Sequence, residues 1–283
     1  MRAKELVRFD TQVRSSYAHW LYYFKKEKKV PEPVKIMPCL DMKEGKVVKG
    51  IHFVDLRDAG DPVECARTYC EQGADELAFL DITATVENRK TMLREFSEVA
   101  EVSTVPLTLG GGIKSLHDIE GALDAGAEKA SMSSAAVRSP DLIEEAAREF
   151  GSEHIVVAVD ADASGELPSG YEVYIDGGRT ATGIDALEFA KAAEDRGAGT
   201  ILPTSKRTDG TKNGYDIELT GGIADCVKVP VIASGGAGAI EHFYEAATAG
   251  KADVLLAASV FHFGEIKIPD LKEYLKDKGV EVF

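Results

Sequence analysis

The chain has 283 residues, 44% of them hydrophobic, and a formal net charge of −15. That is enough length for one large domain or two small ones, with apolar residues to fill a core. The acidic balance argues against a nucleic-acid binder that draws its affinity from phosphate contacts. A small anionic ligand is still compatible with it, because local backbone amides can hold phosphate inside an acidic protein.

Residues 1–34 stand apart, with eight basic against four acidic residues, the only tryptophan (Trp20) and the prolines of KEKKVPEP, which ends at Pro33. The extension reads as a helix packing aromatics on the main domain, a docking segment for a partner or second subunit, or a tail. From Lys35 to Phe283 strand and helix signals alternate. Short apolar runs occur at 35–40, 76–81, 105–110, 129–132, 154–160, 200–204, 229–234 and 253–258. Such unalternating runs suit strands buried on both faces. Amphipathic stretches lie between them at 61–73, 115–126, 139–151 and 183–197. Eight β-then-α units predict a closed (β/α)₈ (TIM) barrel with an N-terminal extension; an open doubly wound sheet is the alternative.

A repeat favours the barrel. Gly73 and Gly197 are 124 residues apart, as are Gly111 and Gly235, and Gly126 and Gly250. One offset at three landmarks means two homologous half-barrels of four units each.

Chemistry in such a barrel sits at the C-terminal ends of the strands. Strand 3 runs into GGGI (110–113), and strand 7 into SGGAG (234–238). Glycine lets backbone N–H groups approach an anion closely. The strand after each glycine loop ends in small or hydroxyl residues, Ser133-Ser134 and Ala258-Ser259. The duplicated pattern predicts two phosphate cradles, one at the GGGI loop with Ser133-Ser134 and one at the SGGAG loop with Ala258-Ser259, and a substrate with a phosphate at each end; tight turns are the plainer use of glycine. Asp209-Gly210, past strand 6, is a further candidate for that ligand or a simple turn. Asp41 and Asp160 end the first strand of each half, as a pair of general acid and base or as loop caps. Lys49, in the 42–60 loop, is a candidate to neutralise charge when the loop closes, or a solvated lysine.

These segments, PCLDM, GKVVKG, FLDITA, LGGGI, DGTKNGYD, ASGGAG and AASVFHF, together resemble the cyclase subunit family of imidazole glycerol phosphate synthase, over residues 35–283. The resemblance implies an ammonia-dependent cyclase/lyase of histidine biosynthesis. Its substrate would be a bis-phosphorylated ribulosyl-formimino aminoimidazole carboxamide nucleotide, and its products imidazole glycerol phosphate and an aminoimidazole carboxamide ribotide. It places the acid–base pair on Asp41 and Asp160, the loop lysine on Lys49, and phosphate contacts on Gly112, Ser133 and Ser134 at one end and on Asp209, Gly210, Gly236, Ala258 and Ser259 at the other, with Gly235 in the same loop. It puts an ammonia gate at Lys35, Glu76, Lys129 and Thr200, and implies a glutaminase partner docked at the barrel floor with no cofactor. The chain departs from the family at Ser133-Ser134 (usually Asn-Thr), Lys35 (usually Arg), Thr200 (usually Glu) and Arg207 (near an acidic position). A paralogous sugar-phosphate isomerase and a non-catalytic scaffold are the other readings.

The remaining expectations are negative. Cys39, Cys65, Cys70 and Cys226 form no CxxC pair, and no His/Cys cluster has zinc spacing, so free thiols in a reducing cytoplasm and no metal are expected. No run reaches the roughly 18 apolar residues of a membrane span, and no signal peptide is evident.

Overall fold

The computed structural model describes residues 32–43, 46–51, 54–81 and 88–283, and Glu32–Phe283 forms one unit by itself. The side chains of residues 43, 46, 48–51, 54–59 and 88–91 fall outside that description. So do the readings made for the N-terminal extension.

Eight parallel strands close into a barrel. They are β1 (Lys35–Lys43), β4 (Leu77–Asp81), β5 (Leu107–Gly110), β6 (Lys129–Met132), β7 (Ile155–Ala163), β10 (Thr200–Ser205), β11 (Ile232–Ala233) and β12 (Val254–Ala257). Each pairs in parallel with the next, and β12 returns to β1 with Lys35 opposite Val254. The join between β10 and β11 is the thinnest, two isolated bridges at Ile201–Val231 and Thr204–Ser234. The helices that follow the strands include α1 (Pro62–Glu71), α2 (Asn88–Val102), α3 (Leu116–Asp124), α4 (Ser134–Arg138), α5 (Asp141–Phe150), α6 (Ala186–Asp195), α7 (Ile217–Cys226), α8 (Ile240–Thr248), α9 (Ser259–His262) and α10 (Ile268–Asp277).

Both strand faces are buried, which is why the apolar runs do not alternate. On β1, Ile36 and Leu40 point to the layer between sheet and helices, where Phe79 meets Phe96 edge-on at 5.3 Å. Met37 and Cys39 point into the barrel with Ala78, Val156, Leu202, Ile232 and Leu256.

The duplication is visible at atomic level. Asp61 caps α1 by accepting the N–H groups of Val63 and Glu64; Asp185 caps α6 by accepting those of Leu187 and Glu188. Each of these residues lies 124 positions from its counterpart. A carboxylate here satisfies two of the helix's orphan donors and meets its positive end.

The 42–60 segment after the first strand was expected to be a loop. It is an antiparallel hairpin instead, and so is its counterpart in the second half. β2 (Lys46–Ile51) and β3 (Val54–Gly60) continue from β1, with Met42 opposite Val47. β8 (Tyr171–Ile175) and β9 (Thr180–Asp185) continue from β7, with Asp160 opposite Tyr174. Valine, tyrosine and threonine favour the pleated form, and Asp176-Gly177-Gly178 makes the tight reversal. The β8–β9 turn reaches the mouth of the barrel, where Asp176, Gly177 and Arg179 line it.

Candidate functional site

The C-terminal ends of the barrel strands surround a cleft of about 990 Å³. Asp41, Asp160, Gly112, Ser133, Ser134, Asp209, Gly210, Gly235, Gly236, Ala258 and Ser259 all line it. Eleven positions scattered over some 220 residues of sequence are brought to one opening by strand register and the duplication.

Asp41 is buried at the end of β1, and the Cys39 thiol donates to its Oδ1 at 3.1 Å. Asp160 stands at the same level of β7, and the Ser133 hydroxyl donates to its Oδ2 at 3.4 Å. Burial pushes the Asp160 carboxyl up to about 6; the Ser133 hydrogen bond opposes this, Asp209 adds to it, and Lys206 pulls the other way. Desolvation disfavours the charged form of an acid, so the group is poised to exchange a proton near neutrality. Lys206 is itself held at 3.4 Å from Asp162 and over the Tyr174 ring at 3.6 Å.

The glycine loops are closely laced. Gly111 has φ +95°, and a Cβ there would lie 2.1 Å from the Asp81 carbonyl oxygen. Gly236 has φ +106°, and a Cβ there would lie 2.1 Å from the Gly214 carbonyl oxygen. Only glycine permits both this backbone conformation and this approach. Gly214 N–H donates to the Gly236 carbonyl at 2.8 Å, and the Thr208 hydroxyl donates to the Gly235 carbonyl at 3.2 Å. The Asp209-Gly210 loop is thereby tied to the second glycine loop. His242 Nδ1 accepts the N–H groups of Gly238 and Ala239 at 3.1 and 3.2 Å, which fixes the start of α8 beside it.

A clasp anchors the other flank of that loop. Asp216 accepts from the Tyr171 hydroxyl and the Ser205 hydroxyl, each at 2.8 Å, and pairs with Arg207 at 2.9 Å. Burial works against its ionisation, but these hydrogen bonds, with that of Leu219 N–H, hold the carboxyl below its usual range. Arg207 therefore has a structural partner, at a position where the family resemblance led one to expect an acid.

Residues 35–267 match the family model described as histidine biosynthesis protein. The chain is also 54% identical over 261 residues to the imidazole glycerol phosphate synthase subunit HisF of Methanosphaerula palustris, covering 88% of this chain and 97% of that one. The chain belongs to the histidine biosynthesis protein family. It is an enzyme of that pathway, a lyase of the cyclase type.

At the opposite, N-terminal ends of the strands lies a charged cluster. Glu76 is 2% exposed and takes Lys35 on one oxygen at 2.8 Å and Lys129 on the other at 2.9 Å. Burial opposes its ionisation, yet Lys129 and Lys35 hold its carboxyl below the usual range. Thr200 is buried at the start of β10 and adds no charge. The gate residues expected from the resemblance are thus at one level, away from the cleft. Lys49 lies on β2 opposite Arg57, and its side chain is outside the described residues.

Sequence reading missed several residues that line the cleft, notably Lys114, Arg138, Asp176 and Arg179. The signal for the last two was the IDGGR turn at 175–179; nothing local marked Arg138, whose partner is 38 residues away. Among the described residues no cluster of His, Cys, Asp or Glu is arranged to hold a metal ion, and no helix is long and apolar enough to cross a membrane. Cys39, Cys65, Cys70 and Cys226 form no disulfide among the described residues.

Proposed function

We propose that this chain uses ammonia to cleave and cyclise a bis-phosphorylated ribulosyl-formimino aminoimidazole carboxamide nucleotide, releasing imidazole glycerol phosphate and the aminoimidazole carboxamide ribotide. The observation that carries the reading is the placement of Asp41 and Asp160 in one cleft with both glycine loops. One phosphate is held by Gly112, Ser133 and Ser134, the other by Asp209-Gly210, Gly235-Gly236 and Ala258-Ser259. Close backbone approach supplies N–H donors to each.

Between the anchored ends, ammonia attacks the ketose carbon. Asp160 takes the proton that the attacking nitrogen sheds, a task suited to a carboxyl pushed up to about 6. Asp41 supplies a proton to the oxygen that leaves as water, regains one as the closing ring sheds protons from its nitrogen and methylene carbon, and supplies that to the departing nitrogen at cleavage. Lys49, on the hairpin that follows β1, neutralises charge when that segment closes.

Ammonia reaches the cleft through the barrel from a glutaminase subunit docked at the floor, past Lys35, Glu76, Lys129 and Thr200. In support, the interior beyond the floor is mostly apolar, which suits neutral ammonia. Within it the buried Thr108 hydroxyl has no hydrogen-bond partner among the described residues. A buried orphan hydroxyl is costly and serves well as a resting point for a small polar passenger. Cysteines that form no disulfide suit a reducing cytoplasm.

The test is turnover of the purified chain with the nucleotide and an ammonium salt. Imidazole glycerol phosphate should form at a rate that rises with pH as ammonium gives up its proton. Conversion of the unrearranged aminoaldose to its ketose without ammonia would place the chain with the isomerases instead.

A further inference from the structure

The two ends of the cleft differ in charge, although the backbone repeat makes them alike. Around the second glycine loop, Lys212 is paired with Glu265 at 2.5 Å, and Asp209 adds a negative charge. Around the first, Lys114, Arg138 and Arg179 line the cleft with Asp81 beside Gly111, Asp160 beside Ser133 and, on the turn that carries Arg179, Asp176. Arg138 already satisfies Asp176, with one guanidinium nitrogen 2.7 Å from each carboxylate oxygen. The Arg138 bond, then one from Thr180, holds the Asp176 carboxyl below its usual range. Arg179 feels Asp176 only at longer range, and neither it nor Lys114 makes an ion pair among the described residues.

The β8–β9 turn that carries Arg179 is also fixed to the first cradle. Asp176 N–H donates to the Ser134 hydroxyl at 2.9 Å. Asp176 has φ +60°, a left-handed conformation that an aspartate accepts at some cost and that must be held by its surroundings. Two independent contacts hold it: Arg138 on the side chain and Ser134 on the backbone. Both partners belong to α4, the helix that follows β6 at the cradle. The sequence adds Gly177 and Gly178, which let the turn reverse tightly enough to bring Arg179 back over the cleft.

We propose that the β8–β9 turn is the cover of the first cradle and that Arg179 is a direct ligand of the phosphate bound there, with Asp176 and Arg138 as positioning residues that hold the turn over it. The inference rests on the bis-phosphate reading above and deepens it. A guanidinium offers a phosphate two parallel donors, where a lysine offers a point charge. With Lys114 on the other side, the first cradle takes the more highly charged or more tightly held phosphate, so the substrate enters in one orientation. Because Ser134 serves both the turn and the cradle, a phosphate at that hydroxyl and the position of the cover are coupled.

Inorganic phosphate, titrated into the full chain and followed by ³¹P NMR, reads the proposal without any turnover. The tighter phosphate affinity should weaken about tenfold in Arg179→Gln, by loss of one charge-assisted contact. Arg179→Lys should recover part of it. Asp176→Asn, which loosens the Arg138 latch, should weaken it less while leaving the charge of Arg179 in place. Lys251→Gln, which removes a surface lysine paired with Asp225, should leave it unmoved. Phosphate affinities equal to wild type in Arg179→Gln overturn the proposal. With the nucleotide and an ammonium salt, Arg179→Gln should raise KM about tenfold with kcat within twofold. An active wild type with an unchanged KM in this variant defeats the inference alone. A wild type that makes no product defeats the bis-phosphate reading, while the phosphate titration still decides for or against Arg179.

Discussion

Asp160→Asn should lose about 10²- to 10⁴-fold in ammonia-dependent kcat while gaining thermal stability. The loss follows from removing the group that accepts the proton. The gain follows from its environment. Burial raises the folded-state carboxyl to about 6, above the roughly 3.9 of an unfolded chain. A raised acid favours the protonated folded form, so its contribution is most favourable below about pH 4. It erodes as pH rises from about 4 to about 6, and the full penalty stands above that. Two units amount to about 3 kcal/mol at most, and asparagine, which never ionises, escapes it. Denaturant unfolding of wild type and variant at pH 4 and pH 7.5 checks this. The variant's advantage should be present at pH 7.5 and vanish at pH 4. In wild type the acidic limb of kcat/KM should fall as pH drops through about 6, because the base must be ionised to work. A variant equal to wild type in turnover would remove Asp160 from the chemistry.

Gly236→Ala should be among the most damaging small substitutions in the cleft, level with Gly111→Ala. Its φ of +106° strains any residue with a Cβ, and the added carbon would sit 2.1 Å from the Gly214 carbonyl oxygen. Backbone must move to relieve that contact, because no flexible side chain is there to yield. Moving it breaks the 2.8 Å bond from Gly214 N–H to the Gly236 carbonyl and releases the loop that carries Asp209 and Gly210. The expected cost is about 3 kcal/mol or more in stability, with loss of phosphate affinity at the second cradle. Gly165→Ala is the control. A Cβ there meets no atom within 4 Å, and its φ is not in the left-handed region, so the change should stay within about 0.5 kcal/mol. Urea unfolding of the two variants side by side is the measurement.

The barrel was legible because burial on both strand faces leaves unbroken apolar runs, and because the 124-residue offset ties the halves together. Asp41 and Asp160 could be found because each stands at the last position of an apolar run, where the strand meets the mouth. The hairpins were harder. The 42–60 segment mixes lysine, glycine and aspartate with its valines, so its strand period is weak. YEVYI alternates cleanly, and its burial follows that alternation, but its length resembles a long loop's decoration when read without its partner strand. Contacts made only in space left no local trace. Arg138 meets Asp176 from 38 residues away, and Tyr171 meets Asp216 from 45. The rise in the Asp160 carboxyl was equally hidden, because it depends on how much solvent the folded mouth excludes.

The account rests on one substrate spanning two cradles with the aspartates between its ends. The most direct test is a structure of the chain with the bis-phosphate nucleotide bound. One phosphorus atom should lie against Gly112, Ser133 and Ser134, the other against Gly210, Gly236 and Ser259, with Asp41 and Asp160 on the reacting carbons. Both phosphates at one cradle, or a ligand whose reacting carbons face neither aspartate, would contradict it.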